Sequence, residues 1–417
     1  MEYRRITLNE AGTIVSGATP KTSDASNFGG DIPWITPADL SGYTKKYIAK
    51  GARNISQKGY ESCSTVLMPA GSVLFSSRAP IGYVAIARNP ICTNQGFKSI
   101  IPNSDIDSEF LYYQLKYLRK QIQELGSGTT FKEISAKKFG TVNIIVPPLS
   151  EQERIVARIE ELFSELDKAV ETLNTTKQQL AVYRQAVLKE AFSGGFTNHH
   201  DFNVTLKWAT HDEIASLPPL PKEWKYVALS ELGDLGRGKS KHRPRNDAVL
   251  FKDGKYPFIQ TGDVKAANKY IMVCSKLYGD IGLQQSKLWP KGTLCITIAA
   301  NIAETAFLGI DACFPDSIVG FTPNDLVYPQ YIKYFIDSQK LRLWAFAPAT
   351  AQKNINLDTL ENLIVPYCAI EEQKLVIEEI ESRISLCNQI EKTIEQSLQQ
   401  AEALRQSILK QAFEGRL

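Results

Sequence analysis

Apolar positions recur every seven residues near the middle of the chain and again near its end. In the first run Ile159, Leu166, Leu173, Leu180 and Val187 set the period, with Ile155, Leu162, Ala169 and Tyr183 between them at three-or-four spacing. Ile380, Cys387, Ile394, Ala401 and Ile408 repeat the pattern. A seam of this kind predicts two helices of about 40 residues, each burying one stripe as in a coiled coil. Ser150 with Glu153 reads as a capping box where the first helix starts; the second lacks the serine. Gly194 and Gly415 stand where C-terminal helix glycines belong. Elsewhere the pattern changes to short β-branched and aromatic runs, such as 71–75 and 142–146, broken by Gly, Pro and Asn. These predict strand-rich domains with some helix.

The two helical runs belong to a longer repeat. Tyr183-Arg-Gln-Ala-Val-Leu-Lys-Glu-Ala-Phe-Ser-Gly194 lies over Leu404-Arg-Gln-Ser-Ile-Leu-Lys-Gln-Ala-Phe-Glu-Gly415, an offset of 221. Upstream, Leu8, Gly12, Pro69, Gly71, Cys92, Pro102, Lys132 and Ile134 meet Leu229, Gly233, Pro290, Gly292, Cys313, Pro323, Lys353 and Ile355 at the same offset. Pro33-Trp-Ile35 with Asp39 matches Pro257-Phe-Ile259 with Asp263 at 224, so small insertions interrupt the repeat. The reading is an α+β chain built as a tandem repeat. Globular segments 1–149 and 223–365 alternate with helical segments 150–195 and 366–417, and 196–222 is a connector.

A helix of this length spans about 60 Å, and its stripe needs a cover. The simplest cover is the other helix running antiparallel, with the globular domains at the two ends of a rod and an approximate twofold axis suited to two half-sites on a duplex. Charge agrees with that picture. The whole chain carries only +3, too little to imply nucleic-acid binding by itself. Residues 1–149 nevertheless hold 17 Lys and Arg against 11 Asp and Glu, while segments 150–192 and 366–417 are net acidic. Positive charge is thus placed on the domains rather than on the helices. With 417 residues, 43% of them hydrophobic, the composition is that of a multidomain globular protein and excludes a disordered chain. No apolar run reaches membrane-span length and no signal peptide opens the chain, so a soluble cytoplasmic protein without membrane partners is expected. Seven cysteines without a C-x-x-C, and four histidines without ligand spacing, predict reduced buried thiols and no metal site.

Two local motifs suggest catalysis, and context speaks against both. Gly233-Asp-Leu-Gly-Arg-Gly-Lys239-Ser240 fits a phosphate loop. Such a loop needs a following helix, which Lys241-His-Arg-Pro-Arg245 cannot readily open, and the matching Gly12–Thr19 stretch has no lysine. A basic turn facing a phosphate backbone suits Arg237, Lys239, Lys241, Arg243 and Arg245 better. Asp253-Gly-Lys255 with Asp234 or Asp247 could be the carboxylates and lysine of a nuclease, but Asp-Gly is first a turn signal. No Ser/His/Asp or Cys/His set can be assembled, so no catalytic residue is expected.

Polar residues in loop-like positions remain as candidate DNA contacts. In the first domain these are Thr36, Arg78, Asn94, Gln95, Lys98, Thr129, Thr130 and Lys132. In the second, besides Arg237, Lys239 and Lys241, they are Gln260, Thr261, Lys265, Asn301, Asp316, Thr350, Gln352 and Lys353. Equivalent positions mostly differ in type: Arg78 falls on Ala299, Gln95 on Asp316 and Thr130 on Ala351. Framework persists while candidate readers change, as expected of two domains reading different sequences.

The order of parts resembles the specificity subunit of type I restriction-modification systems. Carrying the resemblance are Val146-Pro-Pro-Leu-Ser-Glu-Gln152 and Val365-Pro-Tyr-Cys-Ala-Ile-Glu-Glu-Gln373 before the helices, and the L-K-x-A-F-x-G run closing each. The Gly17–Pro20 and Pro33–Asp39 stretches and Leu217-Pro-Pro-Leu-Pro-Lys-Glu-Trp224 add to it. The resemblance implies that 1–149 and 223–365 are target recognition domains, each reading half of a split DNA sequence, with the helices fixing the spacer. It implies a non-catalytic subunit without cofactors of its own. Two methyltransferase subunits would bring S-adenosylmethionine, and restriction and motor subunits would bring ATP and Mg. A DNA-binding or scaffolding coiled-coil adaptor is the alternative reading, and a phosphate-loop enzyme a second.

Overall fold

A computed structural model describes residues 3–128, 132–196, 217–242, 244–346 and 354–417. Two compact units emerge, and their division does not follow the sequence repeat: one holds residues 1–174 with 395–417, the other 175–394.

In the first unit a five-stranded sheet runs in the order Gly12–Ser16, Lys98–Pro102, Val73–Phe75, Val84–Ala87, Tyr47–Ile48. All neighbours are antiparallel except the last pair. The central strand shows why the sheet lies between two layers. Val73 and Phe75 enter one core with the helix Ser108–Tyr117, while Leu74, pointing to the other face, enters a second core with Ile35, Met68 and Phe97. Arg4–Thr7 pairs antiparallel with Asn143–Val146, so the domain is closed just where the long helix begins.

The second unit repeats this sheet strand for strand: Gly233–Arg237, Ile318–Pro323, Leu294–Thr297, Thr305–Leu308, Tyr270–Ile271. Leu294 and Ile296 face one core and Cys295 the other, as in the first unit. The units differ in a side sheet. Trp34–Ile35 and Cys92–Thr93 form a parallel pair in the first, whereas the second has four strands, Lys276–Tyr278, Tyr256–Phe258, Ala312–Cys313 and Leu288–Trp289.

The long helices are Leu149–Ala191 and Ile370–Phe413, 43 and 44 residues. Each is shared between the units, and in both units the helices pair antiparallel. In the first, Ile155, Val156 and Ile159 share a core with Ile408, Leu409, Ala412 and Phe413. In the second, Val187, Leu188, Ala191 and Phe192 share one with Val376, Ile377 and Ile380. Arg184 meets Glu391 at 2.7 Å and Glu190 meets Arg383 at 3.9 Å, so six residues forward on one helix is eight back on the other. Along the seam Ile159, Leu180, Val187, Ile380, Cys387, Ile394, Ala401 and Ile408 are buried, and Leu166 and Leu173 are half-buried. Phe192 and Phe413 are repeat equivalents that cross over. Phe413 packs edge-on against Phe110 of the first domain, and Phe192 against Tyr331, the equivalent of Phe110, in the second.

Helix ends differ from the sequence reading at one terminus and match at the other. The capping box of Ser150 and Glu153 does not form, because the helix opens one residue earlier, at Leu149. The amides of Glu151 and Gln152 donate to the carbonyl of Pro148, the residue before the helix, at 2.9 and 3.0 Å. Both C-termini close alike: Gly195 donates to Glu190 and Arg416 to Gln411, with Gly194 and Gly415 at φ of 81° and 72°. That left-handed step favours glycine and satisfies otherwise orphaned carbonyls. Cys92, Cys295, Cys313, Cys368 and Cys387 are buried free thiols, and burial pushes Cys92 up to about 11. Cys63 and Cys274 are free but only half-buried, which corrects the expectation of full burial.

Each domain is fastened to its helix by the same trio of side chains. Lys46 pairs with Glu160, which also accepts from the Tyr113 hydroxyl at 3.2 Å. In the second unit Lys269 pairs with Glu381 at 2.6 Å, which accepts from Tyr334 at 3.4 Å.

Candidate nucleic-acid interface

Backbone hydrogen bonds draw the first domain's candidate residues into one loop cluster. Asn94 donates its amide to Ile35, beside Thr36; Ser77 donates to Gly96; and Ile134 donates to Ser77. Thr36, Arg78, Asn94, Gln95, Lys98 and Lys132 are thereby carried by four adjoining loops and one strand end. A cleft of about 530 Å³ lined by Ala79, Pro80, Ile81, Lys120, Gln123, Glu124 and Lys132 opens beside them. Thr129 and Thr130 lie outside the described residues.

Not all of these side chains are available to a ligand. Thr36 donates both its amide and its hydroxyl to Asp39, each at 2.7 Å, and so starts a turn. Asn94 accepts from the Gly96 amide at 2.9 Å, which shapes its loop. Gln95 is exposed and accepts from the Thr19 hydroxyl. Lys132 is exposed. Arg78 and Lys98 behave differently: both approach Glu133 at 3.8 Å, one on each carboxylate oxygen. Lys98 is 8% exposed, and burial pushes its ammonium below the ordinary range against the pull of Glu133.

Glu133 escaped the sequence reading, as did Thr19. Glu133 exchanges two backbone hydrogen bonds with Ser127, at 2.9 and 3.0 Å, and bridges Arg78 across the loop. Only that long-range pairing reveals it.

The second domain keeps the frame and changes the chemistry. Ile298 donates to Ser317 and Ile355 to Ile298, the equivalents of two of the three bonds that hold the first cluster; Pro315 stands where Asn94 donates in the first. The bridge between Arg78 and Glu133 recurs between Ala299 and Asn354. Neither of these two residues is charged, and Val319 replaces Lys98. Charge instead gathers at Asp316, whose carbonyl accepts from Arg237 at 2.9 and 3.1 Å and whose carboxylate accepts from Arg245 at 2.7 and 2.8 Å. Exposed Lys239 and Lys241 flank this turn. Gln260 donates its amide to Asp263 and opens the helix Thr261–Ala266, which carries Thr261 and exposed Lys265. Asn301 follows Ala300 in the hairpin equivalent to that of Arg78. Thr350, Gln352, Lys353 and Arg243 lie outside the described residues.

Both catalytic motifs take non-catalytic shapes. Gly233–Arg237 is a strand of the main sheet and no helix follows Ser240, so Lys239 does not sit in a phosphate loop. Asp253 has a φ of 54° within a turn, Lys255 pairs with Asp280, and Asp247 accepts from His242. Among the described residues no three His, Cys, Asp or Glu side chains are placed to hold a metal, and no helix is long and apolar enough to cross a membrane.

Comparisons with known proteins agree with this arrangement. The family model described as "Type I restriction modification DNA specificity domain" matches twice, over residues 2–180 and 221–400. The MjaIX specificity subunit of Methanocaldococcus jannaschii is 35% identical over 61% of the chain, which spans 56% of that relative's length. The EcoBI specificity subunit of Escherichia coli is 25% identical over the whole chain and 86% of its own length. A solved chain of a type I R-M system superposes over all of this chain and 98% of its own at a TM-score of 0.77 and 19% identity. The HsdS subunit of Thermoanaerobacter tengcongensis does so over all of this chain and 97% of its own at 0.63, also with 19% identity. With two matched specificity domains joined through paired helices, the chain belongs to the type I restriction-modification DNA specificity family and is a DNA target-recognition subunit.

Proposed function

We propose that the chain is the non-catalytic specificity subunit of a type I restriction-modification complex and that its domains read the two halves of a split duplex sequence. The observation that carries this reading is the loop cluster present in both domains, held by two equivalent backbone bonds and one equivalent bridge but with different side chains. A shared frame with exchanged readers is what two different half-sites require. The candidate contacts left accessible by the folded loops are Arg78, Gln95 and Lys132 in the first domain, with Lys98 buried behind Arg78, and Arg237, Lys239, Lys241, Lys265, Asn301 and Asp316 in the second.

Companion subunits complete the activity. Methyltransferase subunits supply S-adenosylmethionine and adenine methylation; restriction and motor subunits supply ATP hydrolysis, Mg and cleavage. Net charge of +3 gives the isolated chain little attraction for DNA, so the assembled complex is the binding species. Methylome sequencing of cells with the chain and its companion methyltransferase, then with the chain deleted, tests the proposal. A split methylated motif that vanishes on deletion, and changes in one half only when residues 1–149 are exchanged, is the expected result. An unchanged methylome with the companion expressed and bound would leave a scaffolding adaptor as the better account.

A further inference from the structure

Resting on that reading, we propose that Arg78, Glu133 and Lys98 form a single reading site in the first domain whose ligand is one G·C base pair, approached from the major groove. Arg78 would donate to guanine O6 and N7, and Glu133 would accept from the cytosine amino group. Lys98 stands against the other carboxylate oxygen.

Three features of the structure converge here. Arg78 Nη1 and Glu133 Oε2 stand 3.8 Å apart, an ion-pair separation longer than a hydrogen bond. A cationic donor and an anionic acceptor are thus held side by side without being joined. On the major-groove edge of a G·C pair the complementary groups, an acceptor oxygen and a donor nitrogen, lie roughly 3 Å apart because they hydrogen-bond to each other. An A·T pair offers an adenine amino donor and a thymine O4 acceptor, but its thymine methyl has no place beside two charged groups.

Lys98 is the second observation. A lysine with only a tenth of its side chain exposed is unusual unless something requires it. Its ammonium reaches the Gln95 carbonyl at 3.4 Å and the far Glu133 oxygen at 3.8 Å. That position sets a cation on the carboxylate oxygen away from Arg78 and leaves the other oxygen beside the guanidinium.

The loop geometry is the third. Arg78 precedes Ala79, which has a φ of 48°, and the equivalent Ala300 has 64°. Both domains hold a non-glycine residue in the left-handed region at the tip of this hairpin, a conformation that persists only where surrounding structure enforces it. In the first domain Gln123 ties down the same hairpin by donating to the Ile81 carbonyl at 2.7 Å. In the second domain Ala299, Asn354 and Val319 occupy the three positions, so the same frame there carries no such charge pattern.

The test is methylome sequencing of cells carrying the full complex with the natural chain, with Arg78→Ala and with Glu133→Gln. In the natural complex the half-motif that changes when residues 1–149 are exchanged should contain a G·C pair. Each variant should relax that one position by about 10- to 100-fold in methylation preference. The other half-motif should stay as strict as before, which also reports that the complex has folded and assembled. Arg78→Lys, which keeps the charge but not the fork, should relax it partly. Relaxation at several positions at once, relaxation in the other half, an unchanged motif, or a motif unchanged but methylated less everywhere would each overturn the inference. A natural complex that yields no split motif would instead overturn the proposed function on which it rests.

Discussion

Gln152 and Gln373, 221 positions apart, make the same joint in the two units. Both are fully buried in the first turn of a long helix. Gln152 donates to the carbonyls of Pro147 and Asp105, each at 2.9 Å, and accepts from the Asp107 amide at 2.8 Å. Gln373 donates to Cys368 at 2.8 Å and Leu326 at 3.4 Å and accepts from the Tyr328 amide at 2.8 Å. A single amide therefore satisfies three backbone groups where helix, preceding turn and domain loop meet.

Removing that amide should orphan all three groups. Gln152→Leu is expected to cost about 2–4 kcal/mol, given 1–3 for each buried polar group left unpaired and incomplete additivity. Urea unfolding at constant slope measures it, and Gln373→Leu should behave alike. A shift below about 0.5 kcal/mol would show that water replaces the side chain.

The clamp at Lys46 predicts a pH window. Lys46 and Glu109 pair at 2.7 Å with about three-quarters or more of each side chain covered. Burial works against the Lys46 charge, yet Glu109 and Glu160 raise its affinity for a proton overall. Burial likewise pushes Glu109 up, but hydrogen bonds from Lys46 and Tyr47 bring it below its ordinary value. A raised lysine stabilises below its unfolded value near 10.4 and stops doing so as pH rises through its folded value. A depressed carboxylate stabilises above about 4.3 and stops as pH falls through its folded value. A double-mutant cycle with Lys46→Met and Glu109→Gln should give a coupling of about 1 kcal/mol, level from roughly pH 5 to 10 and fading on either side. A coupling independent of pH would show that packing rather than charge is at work.

Lys98→Met should separate stability from reading. Methionine fits a similar space without a charge to desolvate. Melting of the chain is expected to rise by about 2–4 °C near neutral pH, the equivalent of about 1 kcal/mol for a domain of this size. Because burial depresses Lys98, the penalty it carries is full below its folded value and disappears as pH rises toward the ordinary lysine range, so the gain should shrink there. A lower melting temperature at neutral pH would show that the ammonium contributes net stability.

Seam positions should sort by burial. Ile159→Ala and Ile380→Ala remove fully buried side chains and are expected to cost about 2–4 kcal/mol each. Val182, 72% exposed on the first helix, should tolerate alanine within about 0.5 kcal/mol. Thermal unfolding of the three variants checks the ranking, and equal effects would contradict the antiparallel seam.

Local patterns in the sequence make much of this fold legible. The seven-residue period located both helices because a stripe such as Ile159 to Val187 has few other uses. The offset of 221 survived because Gly71 and Gly292, at φ of 87° and 91°, need glycine in the same turn. Side chains whose role is long-range stayed hidden. Glu133 looked like any acidic loop residue until the strand-like bridge put it against Arg78. Nothing in the seven-residue period marks Gln152 and Gln373, although the Glu-Gln pair common to both repeats is a visible hint. The four-stranded side sheet was masked by the shift of offset from 221 to 224, which is where the second domain departs from the first.

Sharing each long helix between units also orders the chain in time. The core around Ile155 and Ile159 is closed by Ile408, Leu409, Ala412 and Phe413. On a ribosome, the domain made first therefore waits for residues near position 410 before its apolar floor is covered. At about 5–20 residues per second the delay from residue 174 to residue 395 is roughly 10–45 s. The second unit, continuous from 175 to 394, can close as soon as it has emerged. Synthesis thus finishes the second-made half first and leaves the first-made half to seal the molecule.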